Sequence, residues 1–249
     1  TSYGIPDTIL RINEYGGKDK VEGNDWDYWQ NEFNYEFKTE GNNFISSSWE
    51  LNSNWSASNN LPSSIEFRFK VDNSNLINNT QPIWLLSSSI EEAKLTLEYT
   101  GSGYTSGSYS GSIPDPYNQY ANLIFYPSAS DQTISSSIYL PFLNGDWWSI
   151  LINSGSTGFE LFAKNKIYEG GDNNTVLGFQ ASSSITSSYD GWNNILNNSY
   201  FGIDSTSNFT GSFQEIRYYK DSLIENSFNN YVMNPYSTRG NTINSTFEE

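Results

Sequence analysis

A 249-residue chain with 8 Trp, 18 Tyr and 15 Phe, no Cys, no His and a formal charge of -16 is too aromatic to be disordered. It is also too acidic to displace counterions from a phosphate backbone, so nucleic acid is excluded as a partner. Without Cys or His, disulfide scaffolds, thiolate and Ser-His-Asp catalysis and most zinc or iron sites fall away, and only carboxylate chemistry is left. A chain of this length buries roughly 70% of its unfolded surface, enough for a real core.

The polar remainder is dominated by Ser and Asn, which compete with the helical backbone, while the aromatic residues favour pleated surfaces. Strands joined by many turns are expected. No run approaches 18 consecutive apolar residues, so membrane insertion is not expected. The first 25 residues lack the basic start and apolar stretch of a signal peptide, and the chain begins at Thr1, which leaves room for a leader or an upstream domain.

Residues 1–22 read as a lead segment, followed at 23–29 by an aromatic-rich, acidic stretch. From Ser63 the apolar residues recur at every second position. Ile65, Phe67, Phe69 and Val71 alternate with Glu66, Arg68 and Lys70, which marks a strand with one buried face. Ile83 to Leu86 and Leu95 to Tyr99 follow, then a Gly/Ser/Tyr-rich stretch from Gly101 to Gly111 that reads as a long loop on the rim. Further strands are expected at Ala121 to Tyr126, Ser137 to Leu140, Trp148 to Ile152, Phe159 to Ala163, Thr175 to Ala181, Tyr200 to Asp204 and Ser212 to Tyr219.

Asn153 to Gly158 is a short loop, and Lys164-Asn165-Lys166 is expected to be a hairpin tip. The short spacings call for antiparallel pairing, because parallel strands need long crossovers. The predicted fold is therefore an all-β antiparallel sandwich, a jelly roll, with one short C-terminal helix. For that helix, Ser222 and Glu225 form a capping box, Ile224, Phe228, Tyr231 and Val232 share a face, and Asn234-Pro235 is the stop. The sandwich is assigned to residues 23–236 and a linker, with room for a further domain beyond it, to 237–249.

Two stretches carry a family likeness. Asn144-Gly145-Asp146-Trp147-Trp148 is similar to a D-G-x-W-H pattern, with Trp148 in the His position. Phe209-Thr210-Gly211-Ser212-Phe213-Gln214-Glu215-Ile216-Arg217-Tyr218-Tyr219 is similar to F-x-G-x-I-x-E-V-R-I-Y before a short helix. Together they resemble the laminin-G-like branch of the concanavalin A-like lectin/glucanase superfamily over roughly Ser63 to Asn234. The wording Gln214 to Tyr219, then Tyr231 to Ser237, is also similar to structural proteins of marine phages and other aquatic viruses.

The likeness implies a module at the virion surface or outside a cell: a capsid decoration, fibre or tail component that assembles with other virion proteins and with copies of itself. A lectin-like module for host-surface glycans is the alternative. The family pattern puts Arg217 and Glu215 on the last long strand, where the guanidinium is expected to pair with a carboxylate across the sheet.

Glycosidases on this fold line carboxylates along one strand as E-x-D-x-x-E, about 5 Å apart in a retaining enzyme. This chain has no such run, and Glu66 and Glu98 fall on outward polar faces, so no enzyme activity is expected. Among sugar-binding candidates, Tyr189, Asp190, Trp192 and Asn193 combine aromatic faces with amide and carboxylate groups, against the plainer reading of core aromatics. Asp25, Asp27 and Asp172 offer oxygens to a calcium ion, yet neither cluster matches the spaced D-x-[DN]-x-[DN]-G loop, so no cofactor is expected.

Overall fold

The computed structural model describes residues 10–12, 37–39, 43–49, 61–71, 80–87, 92–98, 120–128, 132–169, 174–187, 192, 198–204 and 207–235. Two antiparallel sheets face each other, and one short helix covers part of an outer face. The seven-stranded sheet contains β1 (Leu10–Ile12), β2 (Phe37–Thr39), β4 (Ser64–Val71), β9 (Trp148–Ser154), β10 (Gly158–Glu169), β11 (Asn174–Thr186) and β13 (Gly211–Tyr219). Its order is β1-β13-β4-β9-β10-β11, and β2 joins β13 beside β1. The six-stranded sheet runs β3 (Ile45–Ser48), β12 (Asn198–Phe201), β5 (Thr80–Ser87), β6 (Glu92–Glu98), β7 (Ala121–Tyr126) and β8 (Ser136–Leu140). Helix α1 is Glu225–Met233.

The period-two pattern fixes which side of each strand is inside. Ile65, Phe67, Phe69 and Val71 of β4, Ile150 and Ile152 of β9 and Phe159, Leu161 and Ala163 of β10 turn inward. They meet Trp84, Leu86, Leu95, Leu97, Leu123 and Phe125 of the other sheet. Aromatic rings fill the middle: Trp49 lies edge-on to Trp192 at 5.0 Å and to Tyr218 at 5.5 Å. Such pairs add stabilisation beyond the area they bury. A second cluster lies outside the seven-stranded sheet, where Phe228, Tyr231 and Val232 of α1 pack on Leu151, Phe162 and Tyr219.

The expected strands from β4 onward recur with shifted ends. Pro82 sits inside β5, at an irregularity between Pro82 and Trp84 in the pairing with β6. A residue with no N–H to donate is tolerated there. Residues 10–12, in the stretch read as a lead segment, pair with β13, and β2 and β3 also carried no usable period.

Three expectations are overturned. Lys164-Asn165-Lys166 is no hairpin tip but the middle of β10. Its polar lettering arises because Asn165 fills a bulge, its Oδ1 accepting the Phe179 N–H at 2.7 Å. The strand expected to reach Asp204 ends at Phe201, since Gly202 adopts φ 84 and turns the chain. The capping box is also absent: Ile224 holds the N-cap position with no side-chain cap, and its side chain is exposed rather than on the buried face. Ser222 lies two residues earlier with its hydroxyl on the Ser154 carbonyl, and Glu225 is drawn off to Lys164.

Candidate functional site

The outer face of the seven-stranded sheet gathers most of the polar chemistry, and strand alternation is the reason. With Phe67, Phe69 and Val71 inside, Glu66, Arg68 and Lys70 must face out, and the pairings set the rows. One row is Lys38, Ser212 and Lys70, and a second is Gln214, Arg68, Ser149 and Lys164. A third is Arg217, Glu66, Leu151 and Phe162. Lys166 belongs to the same side, its Nζ donating to the Met233 carbonyl at the end of α1 at 3.5 Å.

The third row is roofed by α1 and holds a buried ion cluster. Arg217 Nη1 donates to both Glu66 oxygens, at 3.2 and 2.9 Å, and Nη2 donates to Glu215 Oε2 at 2.6 Å. Nη2 also donates to the Pro235 carbonyl just beyond the helix. Tyr219 adds an O–H bond of 2.8 Å to Glu66, and the guanidinium lies 4.7 Å from the Tyr231 ring centre. Glu215 reaches this position because β13 bulges between Gln214 and Arg217, with Glu215 at φ 51. A left-handed non-glycine residue costs on the order of 1 kcal/mol, and a charge-assisted hydrogen bond offsets it.

The side chains of Arg217, Glu66 and Glu215 are all essentially inaccessible. Burial alone would lower the arginine's pKa, but the charges of Glu66 and then Tyr219 and Glu215 outweigh it and hold it above its ordinary value. This arrangement pins the last turn of α1 to the sheet. Glu66 escaped the sequence reading because alternation put it on a solvent face, and the strand pattern carries no sign that a helix covers that face.

Beyond the edge of α1, Lys38 is exposed and Lys70, Trp147 and Lys166 are half-buried, while Arg68, Gln214, Ser149 and Lys164 are buried. Trp147, half-buried just before β9, has the Arg68 guanidinium 5.3 Å and the Lys70 amino group 5.0 Å from its ring centre. Arg68 Nη1 also donates to Gln214 Oε1 at 3.2 Å. Cations at such distances are attracted to the ring face. Burial, then the neighbouring Arg68 charge, holds the Lys166 amino group below its ordinary pKa. Lys164 is buried against Glu225 Oε1 at 2.5 Å and Asn229 Oδ1 at 2.7 Å. What the face presents outward is therefore Lys38, Lys70, Lys166 and the Trp147 indole, a set suited to carboxylate or sugar groups.

Of the sugar-binding candidates, only Trp192 lies within the described residues, and it is corrected. It is 1% exposed, its ring packs against Trp49, Trp84 and Phe159, and its Nε1–H donates to the Pro62 carbonyl at 2.7 Å. No ring face is left for a sugar. Tyr189, Asp190, Asn193, the calcium candidates Asp25, Asp27 and Asp172, and the Gly101 to Gly111 stretch lie outside the described residues. Among the described residues no helix is long and apolar enough to cross a membrane, and no three acidic side chains gather as a metal site would need.

Buried tyrosines give the fold a pH limit. Burial pushes the Tyr218 hydroxyl up to about 12, against the opposing bonds from Ser199 and Ser47, and burial and then Glu66 push Tyr219 well above its usual value. Each group keeps its proton longer when folded, so its contribution is complete below about pH 10 and is lost as pH rises through the folded value. Thermal melts between pH 9 and 12 are expected to fall above pH 10, by up to about 1.4 kcal/mol per pH unit for each tyrosine. Tyr218→Phe should flatten that slope, and a midpoint constant to pH 12 would contradict the assignment.

No protein-family model matches the chain, and no curated protein matches it in sequence. Among solved structures, the receptor binding domain of botulinum neurotoxin D is similar over 80% of this chain and 43% of its own, at 13% identity and a TM-score of 0.44. The LG1-3 region of the laminin alpha2 chain is similar over 72% of this chain and 30% of its own, at 10% identity and a TM-score of 0.41. The chain spans less than half the length of both. The CBM40 of the Ruminococcus gnavus IT-sialidase, bound to alpha2,3 sialyllactose, is similar over 69% of this chain and 82% of its own, at 10% identity and a TM-score of 0.40. With its two antiparallel sheets and one short C-terminal helix, the chain is an all-β antiparallel sandwich, as its sequence pattern calls for.

Proposed function

We propose that the chain is a non-enzymatic binding module of a virion or a virion appendage, docking onto neighbouring virion proteins through the outer face of its seven-stranded sheet. The observation that carries this reading is where the cations stand. Lys38, Lys70 and Lys166 reach the surface on that face in a chain with only 12 Lys and Arg and a charge of -16, while Arg68, Lys164 and Arg217 lie buried beneath them, Lys164 and Arg217 already paired with carboxylates of this chain. Opposite charge across an interface steers the encounter and fixes the choice of partner, so a carboxylate-bearing surface is the complement. The resemblance of the closing stretch to aquatic-virus structural proteins supports the virion setting.

A second reading, an acidic cell-surface glycan on the same face, is favoured by Trp147 between Arg68 and Lys70. Quantitative mass spectrometry of purified particles tests the first. Lys38→Glu with Lys70→Glu should lower the copy number at least about tenfold by reversing charge complementarity, and unchanged incorporation would refute it. A glycan array with sialylated and sulfated sugars tests the second, which requires binding that Trp147→Ala abolishes.

A further inference from the structure

We infer that two copies of this chain pair edge to edge through β11, residues Gln180 to Thr186 running antiparallel to their counterparts about a two-fold axis at Ser183, so that two seven-stranded sheets become one. An edge strand offers a row of backbone N–H and C=O groups to any extended chain, and folded proteins blunt such edges with short strands, charges, proline or bulges. Four edges here follow that rule by length: β1 and β2 have 3 residues each, β3 has 4 and β8 has 5. β11 does not, with 13 residues, Asn-Thr-Val-Leu-Gly-Phe-Gln-Ala-Ser-Ser-Ser-Ile-Thr, and neither a charge nor a proline among them. Among the described residues no strand is hydrogen-bonded to its outer side, although β8 of the other sheet runs close to it.

The bulge at Gly178 and Phe179, opposite Asn165, bends the first part of the strand. From Gln180 to Thr186 the pairing with Lys164 to Gly158 is regular, so every second residue there turns its backbone groups away from β10. Along this segment Ala181, Ser183 and Ile185 are half-buried while Gln180, Ser182, Ser184 and Thr186 are exposed.

A second copy is the occupant these residues fit. A two-fold axis at Ser183 is the centre that pairs all seven residues. It sets Ala181 opposite Ile185 on the inner face, where both already pack against the core, and Ser182 opposite Ser184 on the outer face. Each residue meets one of its own kind. Copies carrying a charge of -16 repel one another, and this segment lets them meet with no like charges opposed.

The inference deepens the assembly reading by naming a partner, and the two are tested apart. Sedimentation equilibrium on the full chain should show a dimer. Ser182→Lys with Ser184→Lys sets like charges directly opposite at two symmetric places and should weaken association at least about tenfold. It does so although it lowers the net negative charge, which alone would favour association. Ser182→Glu with Ser184→Lys sets opposite charges across the axis and should restore the wild-type constant. Both positions are exposed, so circular dichroism should show an unchanged fold. A wild type that stays monomeric, a double-lysine variant that dimerises as tightly, or a mixed-charge variant as weak as the double-lysine one overturns the pairing. A monomer still incorporated into particles leaves the assembly reading standing, whereas a dimer absent from particles spares only the pairing.

Discussion

Replacing Arg217 by Met is expected to destabilise the protein by about 3 to 5 kcal/mol, the loss that follows when one partner of a buried ion pair is removed. Glu66 and Glu215 would be left without the cation that holds them, in a place water does not reach. The Pro235 carbonyl and the Tyr231 ring would lose the same guanidinium, so the end of α1 should loosen with it. Chemical denaturation measures the total, and hydrogen exchange in residues 228–233 measures the local part.

A structural role makes a further demand. Neutralising the whole cluster with Glu66→Gln, Glu215→Gln and Arg217→Met together should recover much of the stability, because the main cost of the single change is uncompensated charge. If the triple variant is as unstable as the sum of its parts, the charges are not what matters there.

Trp192→Ala should cost a comparable 3 to 5 kcal/mol, through lost burial and the cavity left behind. The indole sits among Trp49, Trp84 and Phe159, and the Trp49 Nε1–H donates to its backbone carbonyl at 2.8 Å, so collapse into the void would disturb a second tryptophan. Trp192→Phe keeps a ring but strands the Pro62 carbonyl, and a smaller loss of about 1 to 3 kcal/mol is expected. Urea titration of the three proteins separates these terms. A sugar-stacking tryptophan would behave in the opposite way, with unchanged stability and lost binding, so Trp192→Ala with an unaltered unfolding midpoint would return this residue to the surface.

These two residues show what alternation can and cannot say. For β4, a period of two divided Ile65, Phe67, Phe69 and Val71 from Glu66, Arg68 and Lys70 correctly, because neighbouring strand residues must point to opposite faces. It could not say that the outward set is itself covered, since burial by α1 depends on where a segment some 150 residues later returns. Trp192 needed the structure for a related reason: its Tyr-Asp-Gly-Trp-Asn surroundings suit a sugar-stacking ring or a core ring alike, and its burial is decided by Trp49 and Phe159, which reach it from other parts of the chain. The short strands β1 to β3 contribute three or four residues each, too few for any period to be visible.

By itself the sequence determined the class of fold, the inward faces of the long strands from β4 to β13, the closing helix and the exclusion of thiol and histidine chemistry, because these depend on residue type and local periodicity. Tertiary structure alone decided that Glu66, Glu215 and Arg217 meet beneath a helix, that Lys164 to Lys166 run through a strand, that Trp192 is core and that half of the sparse cations come to one face. Those outcomes depend on strand order and register, which bring residues far apart in the chain into contact and which no local pattern encodes.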